Sequence, residues 1–343
     1  MVILKKLPGA LLGWYDKNKR DLPWRRDREP YHIWLSEIML QQTRVEAVKG
    51  YYSRFLERLP TIADLAQCDD EELHKLWEGL GYYSRVRNLK KAAQEIMLIY
   101  NGEFPRDYAA VRALPGIGEY TAGAICSIAF GQPTPAVDGN VLRVLARLRS
   151  DGECVDLPAH KKRIREELAR IYPKDVPGTF TQALMELGAT VCLPNGQPKC
   201  EICPCQGLCA GDWKNYPVRQ AKRQRRQEDR TVFVLRCGDV YALKKRPETG
   251  LLAGLWQFPD TLGHLAPEEA IRHLEGWGLR PVQLERMVER SHIFTHIRWD
   301  MRGFYITVAE PAEDFVWMTG EQIRAGAALP TAYRQFWEEI SDV

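Results

Sequence analysis

Two glycine-bearing turns about one helix apart constrain this chain more than any other stretch. Leu114-Pro115-Gly116-Ile117-Gly118 joins a short helical segment at 107–113 to a longer one at 119–130, and Pro135-Ala136-Val137-Asp138-Gly139-Asn140 follows. The Pro-Gly-x-Gly join predicts a tight hairpin between helices, with Gly116 and Gly118 in backbone conformations closed to other residues. Its amides, together with the N-terminus of the second helix, can face an anion with no side chain involved. Ala122, Gly123 and Ala124 are small enough for that helix to approach a neighbour closely, and Asp138 then sets a carboxylate near the anion cradle. Alone, such a turn is an ordinary helix end. The small-residue helix and the Asp turn make it a candidate site.

A chain of 343 residues exceeds one compact core and predicts at least two domains. No apolar run approaches membrane-spanning length, and Met1-Val2-Ile3-Leu4-Lys5-Lys6 lacks the apolar region of a signal peptide, so a cytoplasmic, nucleoid-associated protein is expected. Nine cysteines, an odd number, argue against a disulfide framework and for metal, catalysis or buried thiols. Net charge is only +3, but it is unevenly spread. Residues 1–212 carry 29 basic and 27 acidic side chains, 213–230 carry 7 and 2, and 231–343 carry 12 and 16. The excess lies in the connector, where a solvated linker and contact with an acidic polymer are both open.

Taken in order, residues 4–19 predict an amphipathic helix, and Arg20-Asp21-Leu22-Pro23-Trp24-Arg25-Arg26 an extended segment set by its proline. Trp24 either plugs a core or, with its arginines, suits stacking and phosphate contacts. Residues 31–43 read as a helix in which Glu37 has Ile33, Trp34 and Leu40 at three- and four-residue spacing. A carboxyl on such a face loses hydration and can stay protonated near neutral pH as a general acid; a partner cation from elsewhere is the alternative. Gln41 and Gln42 lie just beyond it. Helices are expected at 45–59, 62–66, 70–80 and 86–100. Tyr82 and Tyr83, presented by the glycines of Gly79-Leu80-Gly81, could wedge into a polymer or cover the core.

Further helices are expected at 140–149, 160–171 and 178–191. Cys192, Cys200, Cys203 and Cys209 then supply four thiolates within eighteen residues, enough for an iron–sulfur cluster or a structural zinc, with Cys205 as an extra thiol. From Thr231 the pattern changes. Segments 231–236 and 240–244 alternate around Cys237-Gly238-Asp239 as a β-hairpin, 282–290 and 298–308 read as strands, and 267–276 and 331–340 as helices.

Residues 114–124 with Val137-Asp138-Gly139-Asn140 resemble the helix-hairpin-helix and Asp of the DNA glycosylase superfamily. The cysteine loop resembles the [4Fe–4S] loop of its endonuclease III and MutY branch, with seven residues in the first gap where six are usual. Gly254-Leu255-Trp256-Gln257-Phe258-Pro259 resembles the Nudix-like C-terminal domain of the MutY family, although Pro267-Glu268-Glu269-Ala270-Ile271-Arg272 lacks the full carboxylate array of a Nudix hydrolase. The resemblance covers nearly the whole chain. It implies a multidomain protein: an all-α helix-hairpin-helix glycosylase domain with an iron–sulfur loop over 1–212, a basic linker over 213–230 and an α+β Nudix-like lesion-recognition domain over 231–343. The first domain would divide into a six-helix part at about 25–135 and a cluster part from the N-terminus and 136–212.

It further implies excision of adenine opposite 8-oxoguanine, or guanine, from double-stranded DNA after base flipping. Glu37 would be the acid, with Asp138 stabilising a cation-like sugar electrostatically or covalently, Asn140 orienting it or binding the DNA backbone, and Tyr120 completing the set. Arg20, Leu22, Trp24 and Gln182 would surround the adenine, and Gln42, Tyr82, Gly116 and Gly118 would meet the DNA. Phe294, Thr295 and His296 would meet the lesion, Thr295 standing where Ser is usual. Cys192, Cys200, Cys203 and Cys209 would hold the cluster, and a monovalent cation would sit at the hairpin. The endonuclease III pattern has Lys where this chain has Tyr120, so efficient strand cleavage is not expected. A monomer is expected. Two other readings stay open: an endonuclease III-like enzyme for oxidised pyrimidines, and a non-catalytic DNA-binding protein.

Overall fold

The computed structural model describes residues 2–221 and 224–341. Its helices are α1 (Val2–Asn18), α2 (Pro30–Met39), α3 (Val45–Arg58), α4 (Ile62–Gln67), α5 (Asp70–Leu76), α6 (Ser84–Ile99), α7 (Tyr108–Ala113), α8 (Glu119–Ile128), α9 (Gly139–Arg149), α10 (Pro158–Ala169) and α11 (Pro177–Thr190). There follow β1 (Arg226–Cys237), β2 (Val240–Lys245), β3 (Trp256–Gln257), β4 (Asp260–Leu262), α12 (Pro267–Gly276), β5 (Pro281–Ile293), β6 (Ile297–Val308), β7 (Val316–Thr319), α13 (Gly320–Gly326) and α14 (Thr331–Ser341). The chain divides into two compact units, one of residues 1–67 and 87–221, the other of 68–86 and 222–343. Among the described residues no helix is long and apolar enough to cross a membrane.

In the first unit α11 is the hub, packed against α1, α8 and α9. Leu4, Leu7, Leu11 and Tyr15 recur at three- and four-residue spacing along α1 and meet Val141, Leu145 and Leu148 of α9 and Phe180, Leu184 and Leu187 of α11. The hairpin between α7 and α8 forms as the sequence predicts, with one difference. Gly116 takes the left-handed φ of +76°. Gly118 is extended at φ −94°, ψ −179°, and a Cβ there would meet nothing within 4 Å, so its own fold does not require glycine. Close approach is real at Gly123, where a Cβ would lie 2.3 Å from the Pro135 carbonyl oxygen.

The second unit is a mixed sheet in the order β3-β2-β1-β6-β5, with β4 pairing β1 and β7 pairing β2. β1 runs parallel to β6, from Arg226 opposite Ile297 to Arg236 opposite Thr307. Alternation along β1 sends Val232 and Val234 to one face and Phe233 and Leu235 to the other. α13 and α14 cover the first face through Ile323, Tyr333 and Phe336, and α12 covers the second through Ala270 and Leu274.

β1 begins at Arg226, inside the stretch read as linker, because its first residues are polar and exposed and carry no apolar alternation. β3, β4 and β7 span two to four residues each, too short for a period to show. The helix expected at 70–80 ends at Leu76, before Gly79 and Gly81 enter the left-handed region.

One buried ion pair ties α11 to the segment after α1. Glu186 Oε1 accepts from Arg20 Nε at 2.7 Å, and Oε2 accepts from Arg25 Nη2 at 2.8 Å. Burial alone would raise the Glu186 carboxyl, but the two guanidiniums hold it down at about 2.

Two predictions follow from this packing. Gly123→Ala forces backbone against backbone and lowers stability by about 1–3 kcal/mol, read as a lower urea midpoint. Glu186→Ala leaves two guanidiniums without their carboxylate and costs about 2–4 kcal/mol, below the full buried-pair value because Arg20 is one-third exposed. A lowered carboxyl pKa stabilises above its unfolded value, so this contribution is complete at neutral pH and is lost as pH falls from about 4.5 towards 2; the difference in urea midpoint between wild type and variant should shrink accordingly.

Candidate active site

A cavity of about 580 Å³ opens in the first unit between α2, α8, the start of α9, α11 and the 20–25 segment. Its lining includes nine residues that the family resemblance singles out: Arg20, Leu22, Trp24, Glu37, Tyr120, Asp138, Asn140 and Gln182 from the expected catalytic set and adenine pocket, and Gln42 from the expected DNA contacts. Elements far apart in the chain bring them together. Leu22 and Trp24 are buried, and Trp24 packs edge-on against Tyr52 at 5.5 Å between ring centres. Gln182 is fixed by the Tyr15 hydroxyl, which donates to its Oε1 at 3.1 Å. Gln42 has φ +58°, a conformation non-glycine residues rarely adopt.

Glu37 and Asp138 face this cavity in different electrostatic surroundings. Glu37 is 6 % exposed on α2, and its Oε2 accepts from the Tyr120 hydroxyl at 2.5 Å. Burial pushes its pKa up to about 7, with Asp138 adding to the rise and Tyr120 and Arg25 opposing it. Tyr120 is itself driven well above its ordinary value, by burial first and then by the charges of Glu37 and Asp138. Asp138 caps α9. Its Oδ1 accepts from the Val141 amide at 2.7 Å and its Oδ2 from Asn140 Nδ2 at 2.7 Å. Burial raises Asp138 while these donors favour its charged form. The network continues: Arg143 Nη2 donates to Asn140 Oδ1 at 2.9 Å and to the Gly188 carbonyl at 2.8 Å, and Arg143 Nε to the Cys192 carbonyl at 3.0 Å.

Glu186, Arg25 and Met185 also line the cavity, and sequence reasoning missed them. Glu186 stands four residues after Gln182 on α11, so the same helix face carried a signal for it.

The other expected residues lie elsewhere. Gly116 and Gly118 form the α7–α8 turn. Tyr82, half exposed at φ +49°, belongs to the second unit, where the Thr295 hydroxyl lies 3.4 Å from its own. Phe294, Thr295 and His296 form the turn between β5 and β6. Phe294 packs edge-on against Trp299 at 4.8 Å between ring centres, which leaves Thr295 and His296 exposed at the tip. Glu269 of α12 accepts from the Ala266 amide at 2.8 Å and so serves its own helix start.

Cys192, Cys200, Cys203 and Cys209 converge after α11. Burial raises the Cys200 thiol, and the neighbouring Cys203, Cys192 and Cys209 add to it. Arg147 Nη1 donates to Cys192 Sγ and the Gly211 amide to Cys209 Sγ, each at 3.4 Å. Such N–H donors match thiolate ligands of a metal group. Cys205 is buried in the core with Leu145 and Leu187, its thiol held protonated by its contact with Cys203 and by burial.

Known proteins match this arrangement. A family described as HhH-GPD superfamily base excision DNA repair protein matches residues 35–174, and the NUDIX domain family matches 231–339. The adenine DNA glycosylase of Mus musculus is 35 % identical over 401 residues, covering 97 % of this chain and 77 % of that protein. A thermostable thymine-DNA glycosylase structure superposes with a TM-score of 0.56 at 31 % identity, over 61 % of this chain and 96 % of that one. A non-covalent endonuclease III–DNA complex gives 0.52 at 27 %, over 62 % and 97 %. With a base-sized cavity between two carboxyls in an endonuclease III-like helical domain, and a NUDIX-family domain after it, the chain belongs to the adenine DNA glycosylases of base excision repair.

Proposed function

We propose that the chain excises adenine paired with 8-oxoguanine, and from G·A pairs, by hydrolysing the N-glycosidic bond of an extruded nucleotide without efficient strand cleavage. The observation that carries this reading is the pair of unlike carboxyls at one cavity: Glu37 with a pKa near 7 and Asp138 bonded by two donors. A volume of about 580 Å³ suits a purine base.

In this reading Glu37 gives its proton to N7 of the flipped adenine. The C1′–N9 bond then breaks with its electron pair leaving on the base, and positive charge develops at the sugar. Asp138 stabilises that charge, oriented by Asn140, and Arg143 holds Asn140 in turn. Water adds to C1′ and gives its proton to the Glu37 carboxylate, which restores the acid. Tyr120, whose phenol is bonded to Glu37, offers no amine for a Schiff base with the sugar. Leu22, Trp24 and Gln182 would hold the adenine ring; Arg20, engaged with Glu186, would shape the same wall.

Cys192, Cys200, Cys203 and Cys209 would hold a [4Fe–4S] cluster, with Cys205 kept in the apolar core. When bound, the cluster closes the loop after α11. A monovalent cation at the hairpin belongs to the same reading. The β5–β6 turn, with the Thr295 hydroxyl and His296 exposed, is the proposed reader of 8-oxoguanine, and Tyr82 beside Thr295 the residue that enters the stack. Acting as a monomer in the cytoplasm completes the proposal.

Because Glu37 acts protonated and burial raises it to about 7, the single-turnover excision rate should fall about tenfold per unit as pH rises above 7. Glu37→Gln should slow excision about 10²–10⁴-fold while leaving mismatch binding nearly unchanged; loss of binding in step with rate would defeat the assignment. Incubation of an 8-oxoguanine·A duplex should give strand scission only after alkali and no borohydride-trapped adduct comparable to that of endonuclease III. Cleavage of a thymine-glycol duplex instead would move the chain to that other activity.

A further inference from the structure

A second cavity, of about 790 Å³, lies beside the first and shares Gln42, Tyr120, Asp138 and Gly139 with it. Its own lining is of another kind: Lys161 and Arg165 of α10 and Arg219 from the stretch after the cysteine loop. We infer that this cavity holds the sugar-phosphate backbone next to the extruded nucleotide, with Lys161, Arg165 and Arg219 as phosphate contacts. The inference rests on the reading of Asp138 as the group that faces the sugar. If the base enters the first cavity, the glycosidic bond crosses the shared wall at Tyr120 and Asp138. The attached phosphodiester must then lie on the other side, where the cations are.

The cations are held in a state suited to exchange. Arg165 pairs with Glu119, the first residue of α8, and Arg112 reaches the same carboxylate at 3.5 Å. Arg219 pairs with Asp156 at 3.5 Å. It is positioned there by the Val155 amide donating to the Val218 carbonyl and the Gln220 amide to Asp156 Oδ2, both at 3.0 Å. Lys161 is exposed and has no acidic partner among the described residues. Glu119 and Asp156 are both about one-third exposed or more, so these pairs contribute little net stability and can be exchanged for a phosphate at small cost. Arg165 stands within reach of Glu119 at the start of α8, whose first-turn amides carry no intrahelical partner, so the helix end and the guanidinium can serve one anion.

The test measures affinity of the full chain for a duplex with a tetrahydrofuran at the target position, which has the phosphates but no base to cleave, across a range of salt. Lys161→Ala and Arg219→Ala should each lower the slope of log K against log salt by about 0.9 and weaken binding about eightfold at 0.1 M salt. Lys162→Ala, one residue away and outside the cavity, should change neither. Glu119→Gln frees Arg165 and should tighten binding about two- to fivefold. Unchanged slopes for Lys161→Ala and Arg219→Ala, an equal fall for Lys162→Ala, or weaker binding for Glu119→Gln would each overturn the inference. Since no base is present, these slopes answer separately from whether the chain releases adenine.

Discussion

The Tyr120 hydroxyl, 2.5 Å from Glu37, is the contact on which the rest of the site depends. A carboxyl buried without any donor would be driven far up and would hold its proton too tightly to give it away; one surrounded by cations would lose it well below neutrality. A single neutral donor within an apolar wall of Ile33 and Leu40 leaves Glu37 near 7, where protonation and proton transfer are both available. Asp138, less than a helix turn from the start of α9, receives different treatment. Two N–H donors satisfy its oxygens in the charged form. Burial raises both carboxyls, and at Asp138 two N–H donors oppose that rise where Glu37 has one hydroxyl.

That assignment is only as firm as the approach of α8 to the 134–138 segment. Tyr120 and Asp138 come from opposite sides of this crossing, and Gly123 sets its distance, since the Pro135 carbonyl occupies the space where a side chain would begin. Thr134, donating to the Gly123 carbonyl at 3.3 Å, adds a polar tie at the same place. On the far side Gly188 lets α11 close on Asn140, whose Cβ would lie 2.6 Å from a Cβ at that glycine. Asn140 is then gripped by Arg143, which also binds carbonyls of α11 and the cysteine loop. The position of the Asp138 carboxylate is therefore determined by helix packing rather than by loop conformation, and packing tolerances are a few tenths of an ångström.

Much of this was legible in the sequence because it is local. Glu37 showed its apolar neighbours at helical spacing, Asp138 showed its place in a turn about one helix after the hairpin, and the β1–β2 hairpin showed its alternation. What was not legible depends on partners distant in the chain. Glu186 meets Arg20 and Arg25 across separations of 166 and 161 residues, and no periodicity encodes which cation a helix Glu will find. The first half of β1 was hidden because a parallel partner, β6, supplies its hydrogen bonds while its side chains stay in water. Gly118 misled in the other direction. Its dihedrals and surroundings admit any residue, so the fold does not account for the glycine.

Charge was the least informative property of the sequence, and the site explains why. A net charge of +3 says little about a polyanion ligand when most of the cations around the site are already answered by acids of the same chain. Arg20 and Arg25 are held by a buried carboxylate, a permanent pairing that shapes the wall of the base cavity. Arg165 and Arg219 are held by half-exposed ones, where water competes for both partners and the pairing costs little to break. The two kinds of pair differ in the burial of the acid. It separates cations that build the cavity from cations free to meet a phosphate, a distinction invisible to any count of lysines and arginines.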